Sequence, residues 1–352
     1  VPMRYPHFLP ENGSIGFISP SFGAATEPYR SAFLNARAKF EALGYRCVTG
    51  PNAFVQEGVG ISNTPEACAA EVNDFFTRND TDILISLGGG ELMCTILDEV
   101  DFPAIATAPP KWFMGYSDNT NLNFLLPTLC DTASIYGPNA PAFGMEPWHP
   151  ALFDAFDLLT GKRSEFENYP RWQYAALRDE EHPLLPYNLD RETKLRCFQP
   201  DAAGELRETA SPLTLRGRLL GGCLDILGGI AGTCFDKVED FLQRYPDEPI
   251  LWFFESCDLN VFDMERVLWR LAHCSWFSRV GGFLIGRPLH FDEPLFGLDQ
   301  YAAVLHRLKQ YRVPIIMDAD FGHLPPALPL INGAVATVER TGNRLQLRYE
   351  FR

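Results

Sequence analysis

Long apolar runs are missing from this 352-residue chain: none approaches the roughly 20 consecutive apolar positions of a membrane-spanning helix, so no membrane partner is expected. Positive charge is scarce as well. Thirty Lys and Arg face 45 Asp and Glu, net charge is −15 at pH 7, and no basic cluster offers a phosphate-tracking stripe. Nucleic acid is therefore not expected as a partner. Nine cysteines are scattered singly without a Cys-x-x-Cys pair, which argues against a disulfide framework and a zinc site and fits reduced thiols in a cytoplasm. No His-x-x-x-His pair occurs among the seven histidines, which leaves open only a metal site assembled from distant residues, and no metal is expected. Neither a Gly-x-Gly-x-x-Gly fingerprint nor a Walker lysine is present, so no cofactor is expected. The start, "VPMRYPHFLPENG", has no basic segment leading into an apolar one, so a cytoplasmic location is expected over export.

What is present describes an ordinary globular protein, 46% hydrophobic and 21% charged, long enough for two hydrophobic cores. The first part alternates strand and helix. "SIGFISPS", "YRCVTG", "TDILISLGGG", "KWFMG" and "TASIYG" read as strands, with "EPYRSAFLNARAKFEALG", "NTPEACAAEVNDFFTR" and "ELMCTILDEV" as helices between them. That repetition implies a mainly parallel sheet whose ligands gather at the carboxyl ends of its strands. From about Gly161 to Pro212 the periodicity fails in a polar, charged, proline-containing excursion of the kind that often forms a lid. Regular strands and helices then resume and close with an antiparallel pair, "GAVATVER" and "RLQLRYEF".

Four features could carry chemistry. Ser117 in "FMGYSDN" lies between a strand and a helix, where a tight turn projects a hydroxyl clear of the sheet. Asn119 stands where a second elbow glycine would be, and Ser is also a favoured N-cap, so this motif alone leaves nucleophile and cap both open. Three glycines in "SLGGGEL" can bring backbone amides close to a ligand, or simply make a tight turn. Glu255 follows a strongly apolar strand in "PILWFFES", and an acid there is either partnered or functional. His323, in "DADFGHLPPALP", lies on no apolar helical face. A serine nucleophile needs a base, an orienting acid and amide donors, and Ser117, His323, Glu255 and the Gly88–Gly90 loop supply those types.

With these motifs in order, the chain resembles the LD-carboxypeptidase family of serine peptidases, and within it the microcin C immunity (MccF-like) branch. The resemblance runs through "ISPSFG", "SLGGGELMCTILDEVDF", "FMGYSDNTNL", "IYGPNAP", "RGRLLGGCLDIL", "ILWFFES", "FLIGRP" and "FGHLPPALPLINGA". It implies Ser117 as nucleophile, His323 as base and Glu255 as its orienting acid, with backbone amides of Gly90 and Asp118 as oxyanion donors. Gly89 and Glu91 of the glycine loop would contact substrate. On the excursion, an aromatic residue such as Trp172, with Tyr174 nearby, would stack on a nucleotide base. Two departures stand out: Cys223 replaces the asparagine of the family's Gly-Gly-Asn segment, and Ser256 follows the glutamate in place of a second acid.

The resulting expectation is an α/β protein with a Rossmann- or flavodoxin-like parallel-sheet domain over residues 1–165, a linker and substrate loop over 166–212, and a mixed α/β, β-barrel-like domain over 213–352. Its activity would be a metal-independent serine peptidase or amidase acting on a small peptide or an aminoacyl-nucleotide conjugate, with trimming of murein tetrapeptides as the alternative. The family is commonly dimeric, which implies a homodimer. A ligand-binding protein that holds a carboxylate or nucleotide without cutting it is the rival class, and a nicotinamide-linked enzyme a weaker third.

Overall fold

The computed structural model describes residues 2–351. Five short strands, β1 (Ser14–Ile18), β2 (Arg46–Thr49), β3 (Ile83–Ser86), β4 (Trp112–Gly115) and β5 (Ser134–Tyr136), run parallel in the spatial order β5-β4-β3-β1-β2. Every residue of β1, β3 and β4 is buried, as expected for a parallel sheet covered on both faces. The covering helices start and stop where their residues dictate. In α1 (Tyr29–Ala42) the buried positions Ala32, Phe33, Ala36 and Phe40 fall on one stripe, and the chain leaves it through Gly44 at φ 94°. In α2 (Pro65–Thr77) the Thr64 hydroxyl accepts from the Ala67 amide and Pro65 occupies the first helical position. "ELMCTILDEV" is not an α-helix: Met93–Glu99 forms 3-10 turns, and the Met93 amide donates to the Asp118 carboxylate instead of waiting for a cap.

A second sheet has nine strands and is mixed. Leu213–Cys223, Ile250–Glu255, Val280–Gly286 and Ile315–Ala319 run parallel as its centre. The closing hairpin Val335–Thr341 and Arg344–Glu350 flanks them antiparallel on one side, and Arg196–Pro200 does so on the other. Two connections cross the expected division of the chain. The late strand Leu330–Asn332 pairs antiparallel with β5 of the first sheet, while the early strand Glu165–Glu167 pairs with Arg344–Glu350 of the second. The two sheets are thus stitched together by strand exchange, and the excursion contributes strands as well as loop. Among the described residues no helix is long and apolar enough to cross a membrane.

Candidate active site

Carboxyl ends of strands from both sheets bring all four singled-out features together. β4 ends at Gly115, and the turn after it holds Ser117 at φ 64°, a left-handed conformation that costs a non-glycine residue about 1–2 kcal/mol. Asn119 pins that turn: its Nδ2 donates to the carbonyls of Gly88 (2.7 Å) and Tyr116 (3.1 Å). This is a local reason for asparagine where an elbow glycine was looked for. Ser117 caps no helix. Its Oγ lies 2.8 Å from Nε2 of His323, and Nδ1 of His323 lies 2.8 Å from Oε2 of Glu255. A carboxylate can only accept there, so Nδ1 carries a proton and, in the neutral ring, Nε2 is free to accept from the serine hydroxyl.

Glu255 ends the strand Ile250–Glu255 and is almost wholly buried; its partners are His323 and Tyr136, not an arginine. The Tyr136 hydroxyl donates to Oε1 of Glu255 (2.5 Å) and accepts from the Ser117 amide (3.1 Å), joining the acid to the backbone of the serine. Burial opposes charge on His323, but the Glu255 carboxylate and a hydrogen bond with Cys257 outweigh it, raising the imidazole well above its ordinary 6.5. Gly322, at φ 111°, precedes the histidine; a Cβ there would lie 2.9 Å from Oε2 of Glu255, so only glycine lets the loop pass this close.

The glycine loop closes the other side. None of its glycines has a positive φ; Gly88 and Gly90 are needed for close approach, and Gly89 packs tightly on Ser117. A Cβ on Gly88 would meet the Phe22 carbonyl at 2.7 Å, one on Gly90 the Ser21 hydroxyl at 2.1 Å, and one on Gly89 would sit 3.3 Å from Oγ of Ser117. Asp118 turns its carboxylate away from the cleft, accepting from Ser21 Oγ (2.5 Å) and the Met93 amide (3.0 Å). Burial pushes that carboxyl up to about 6 against those two hydrogen bonds. The cleft in front of Ser117 has a volume of about 670 Å3, and Gly89, Gly90, Glu91, Asp118 and His323 all line it.

A strained serine, a histidine and a carboxylate in hydrogen-bonded series is the arrangement of a serine hydrolase, and comparison with known proteins gives it a lineage. Residues 15–137 match the LD-carboxypeptidase N-terminal domain and residues 216–338 the LD-carboxypeptidase C-terminal domain. The chain belongs to the LD-carboxypeptidase family. Over 351 residues it is 25% identical to the microcin C7 self-immunity protein MccF of Escherichia coli, covering 96% of this chain and 94% of that one. Its fold matches a solved MccF in complex with glutamyl sulfamoyl guanosine, with a TM-score of 0.78 at 20% identity over 98% of both chains. An MccF-like protein from Streptococcus pneumoniae in complex with AMP matches with a TM-score of 0.77 at 21% identity, over 96% of this chain and 99% of that one.

Several residues of this family member lie where spacing alone did not put them. Trp172 lines neither the cleft nor the cavity beside it. It is 4% exposed, its Nε1 donates to the Glu192 carbonyl (3.1 Å), Arg287 lies 4.6 Å over its ring and Phe291 packs edge-on at 5.0 Å. That is the placement of an anchor for the excursion, with no ring face left for a base. Cys223, at the family's asparagine position, is buried, lines the cleft and donates its thiol to Oδ2 of Asp225 (3.3 Å). Ser256, next after Glu255, is buried. Tyr136 escaped the sequence reading because an aromatic residue after an apolar run looks like core; its neighbours in "IYGPNAP" gave the only signal. All nine cysteines are free.

Proposed function

We propose that this member of the LD-carboxypeptidase family is a serine peptidase or amidase in which Ser117 is the nucleophile, His323 the general base and acid, and Glu255 the orienting carboxylate. The observation that carries it is the unbroken 2.8 Å and 2.8 Å series from Ser117 Oγ through His323 to Glu255, built on a strained serine. Oγ attacks the carbonyl carbon of an amide while its proton passes to Nε2. Amides of Gly90 and Asp118 receive the oxyanion. Collapse breaks the C–N bond, Nε2 returns the proton to the departing amine, and an acyl-serine remains. Water then attacks that ester with the same histidine as base, so one amide and one water become an acid and an amine.

We carry the substrate class with it: a small peptide or an aminoacyl-nucleotide conjugate, supported by relatives solved with glutamyl sulfamoyl guanosine and AMP. Murein tetrapeptide trimming is the competing substrate. We also propose that it works in the cytoplasm as a homodimer, which a sedimentation measurement tests. Ser117→Ala should lower turnover by about four orders of magnitude or more while unfolding stays cooperative. Near-normal turnover in that variant removes the serine from the mechanism. Assaying a murein tetrapeptide for cleavage beside an aminoacyl-sulfamoyl-adenosine for binding separates the two substrate classes.

A further inference from the structure

Positive charge is almost absent from the catalytic cleft, and the exception is informative. Among the residues that line the cleft and the adjoining cavity of about 250 Å3, Arg178 is the one lysine or arginine, and it lines both. The acidic residues Glu91, Asp225 and Asp258 line the cleft around it. Arg178 comes from the excursion, is half-buried and has no carboxylate partner among the described residues. Its guanidinium lies 5.5 Å over the ring of Tyr29 at the start of α1, which holds it across the top of the cleft. An arginine that gives up part of its hydration and gains no anion is short of a partner.

Its position fixes which part of a substrate it would meet. The adjoining cavity lies on the His323 side and is lined by Tyr116, Tyr187, Leu185 and Met145. Tyr116 packs directly on the imidazole, with ring centroids 5.2 Å apart. In amide hydrolysis the histidine protonates the departing nitrogen, so the leaving group sits on the histidine's side of the scissile bond. We propose that Arg178 is the anion receptor of the leaving-group subsite: it holds a carboxylate or phosphate oxygen group of the leaving portion, and so selects substrates that are anionic there. Elsewhere in the cleft the same group would face carboxylates. This rests on the serine-hydrolase reading for the direction of the leaving group, but not for the existence of the anion site.

Binding, measured without turnover, keeps the two apart. In the Ser117→Ala protein, with and without Arg178→Gln or Arg178→Lys, titration calorimetry would follow three probes: a murein tetrapeptide, the same peptide with an amidated C-terminus, and AMP. Loss of a charge-assisted hydrogen bond should weaken the anionic probe by about tenfold to a hundredfold in Arg178→Gln, with partial recovery in Arg178→Lys. A loss confined to the free-carboxylate peptide assigns the carboxylate; a loss confined to AMP assigns the phosphate. Equal losses for the peptide and its amide would make Arg178 a brace for the excursion, and that result overturns the proposal. So does unchanged affinity for all three probes, or no binding of any of them before Arg178 is changed. Near-normal hydrolysis in the Ser117→Ala protein, by contrast, would defeat the serine-hydrolase reading, while the titrations with AMP, which has no amide to cleave, would still test the anion site.

Discussion

The platform of strand ends and the excursion above it are built on opposite terms. On the platform the polar side chains that support Ser117 and His323 are buried and doubly held: Glu255 between His323 and Tyr136, Asp118 between Ser21 and Met93, Asn119 between Gly88 and Tyr116. In the excursion the ion pairs are exposed, as between Arg171 and Glu192 or Arg207 and Asp201, and such pairs contribute little to stability. It is fastened instead by the strands Glu165–Glu167 and Arg196–Pro200 pairing into the second sheet, by Trp172 under Arg287 and by the Leu184 carbonyl accepting from the Glu146 amide. Chemistry placed on the first region tolerates almost no displacement. Selectivity placed on the second can change by surface substitution without disturbing the chemistry.

The largest expected breach of that contrast is at Glu255. Replacing it by glutamine keeps the shape, removes the charge that holds the imidazole, and should lower kcat by about 10^3–10^4. The pH profile gives a second reading. Because His323 is raised well above 6.5 and, in the proposed mechanism, must be neutral to take the serine proton, kcat/KM should rise with pH through an apparent pKa above 6.5. In Glu255→Gln that limb should move down. Stability has the opposite sign: the pair's contribution is complete below 6.5 and fades as pH rises through the raised value, which thermal unfolding across that range would show.

Next in size is the buried ion pair behind the histidine loop. Arg287 and Asp320 lie 2.5 Å apart with side chains 1% and 0% exposed, and Asp320 also accepts from the Tyr169 amide. Arg287→Ala leaves a buried carboxylate unpaired and removes the roof of Trp172, and should cost about 3–5 kcal/mol in urea unfolding. Replacing both members with apolar residues should recover much of that loss. If the single variant costs nothing, the pair does not hold the loop.

Tyr136→Phe sits between chemistry and stability. It takes one partner from the Glu255 carboxylate and leaves the Ser117 amide without its acceptor, so kcat should fall about tenfold with KM nearly unchanged. A change in KM alone would place the hydroxyl in substrate binding instead.

How much of this could be read from residues alone differs between the same two regions. On the platform each residue proposed for the triad announces itself against a strong local pattern: a serine after an apolar strand and glycine, a glutamate ending "ILWFFE", a histidine after glycine in a loop. What stayed hidden were partners made only by folding, such as Ser21 with Asp118 or Tyr136 with Glu255, because their separations of 97 and 119 residues leave no periodic trace. The exchange of Leu330–Asn332 into the first sheet was hidden for the same reason. In the excursion even side-chain direction was illegible. Trp172 and Arg178 both stand in a polar run without periodicity, yet the tryptophan turns inward and the arginine over the cleft.

The smallest effect should come from Cys223, the departure from the family's asparagine. Its thiol is buried against the carboxylate of Asp225, which also accepts from the amides of Cys257 (2.9 Å) and Asp258 (2.7 Å) and so shapes the chain just beyond Glu255. Burial and the charge of Glu255 push this thiol well above its ordinary value, so it is a weak hydrogen-bond donor and not a nucleophile. Serine keeps the donor and strengthens the bond. Cys223→Ser should therefore leave kcat within about twofold and move KM by about two- to fivefold, the scale of one neutral hydrogen bond. Alkylation gives an independent check: iodoacetamide at pH 8 should label the exposed Cys94 and Cys234 in the folded protein and spare Cys223. Rapid labelling of Cys223 together with a collapse of kcat in the serine variant would bring this residue from the wall of the cleft into the reaction itself.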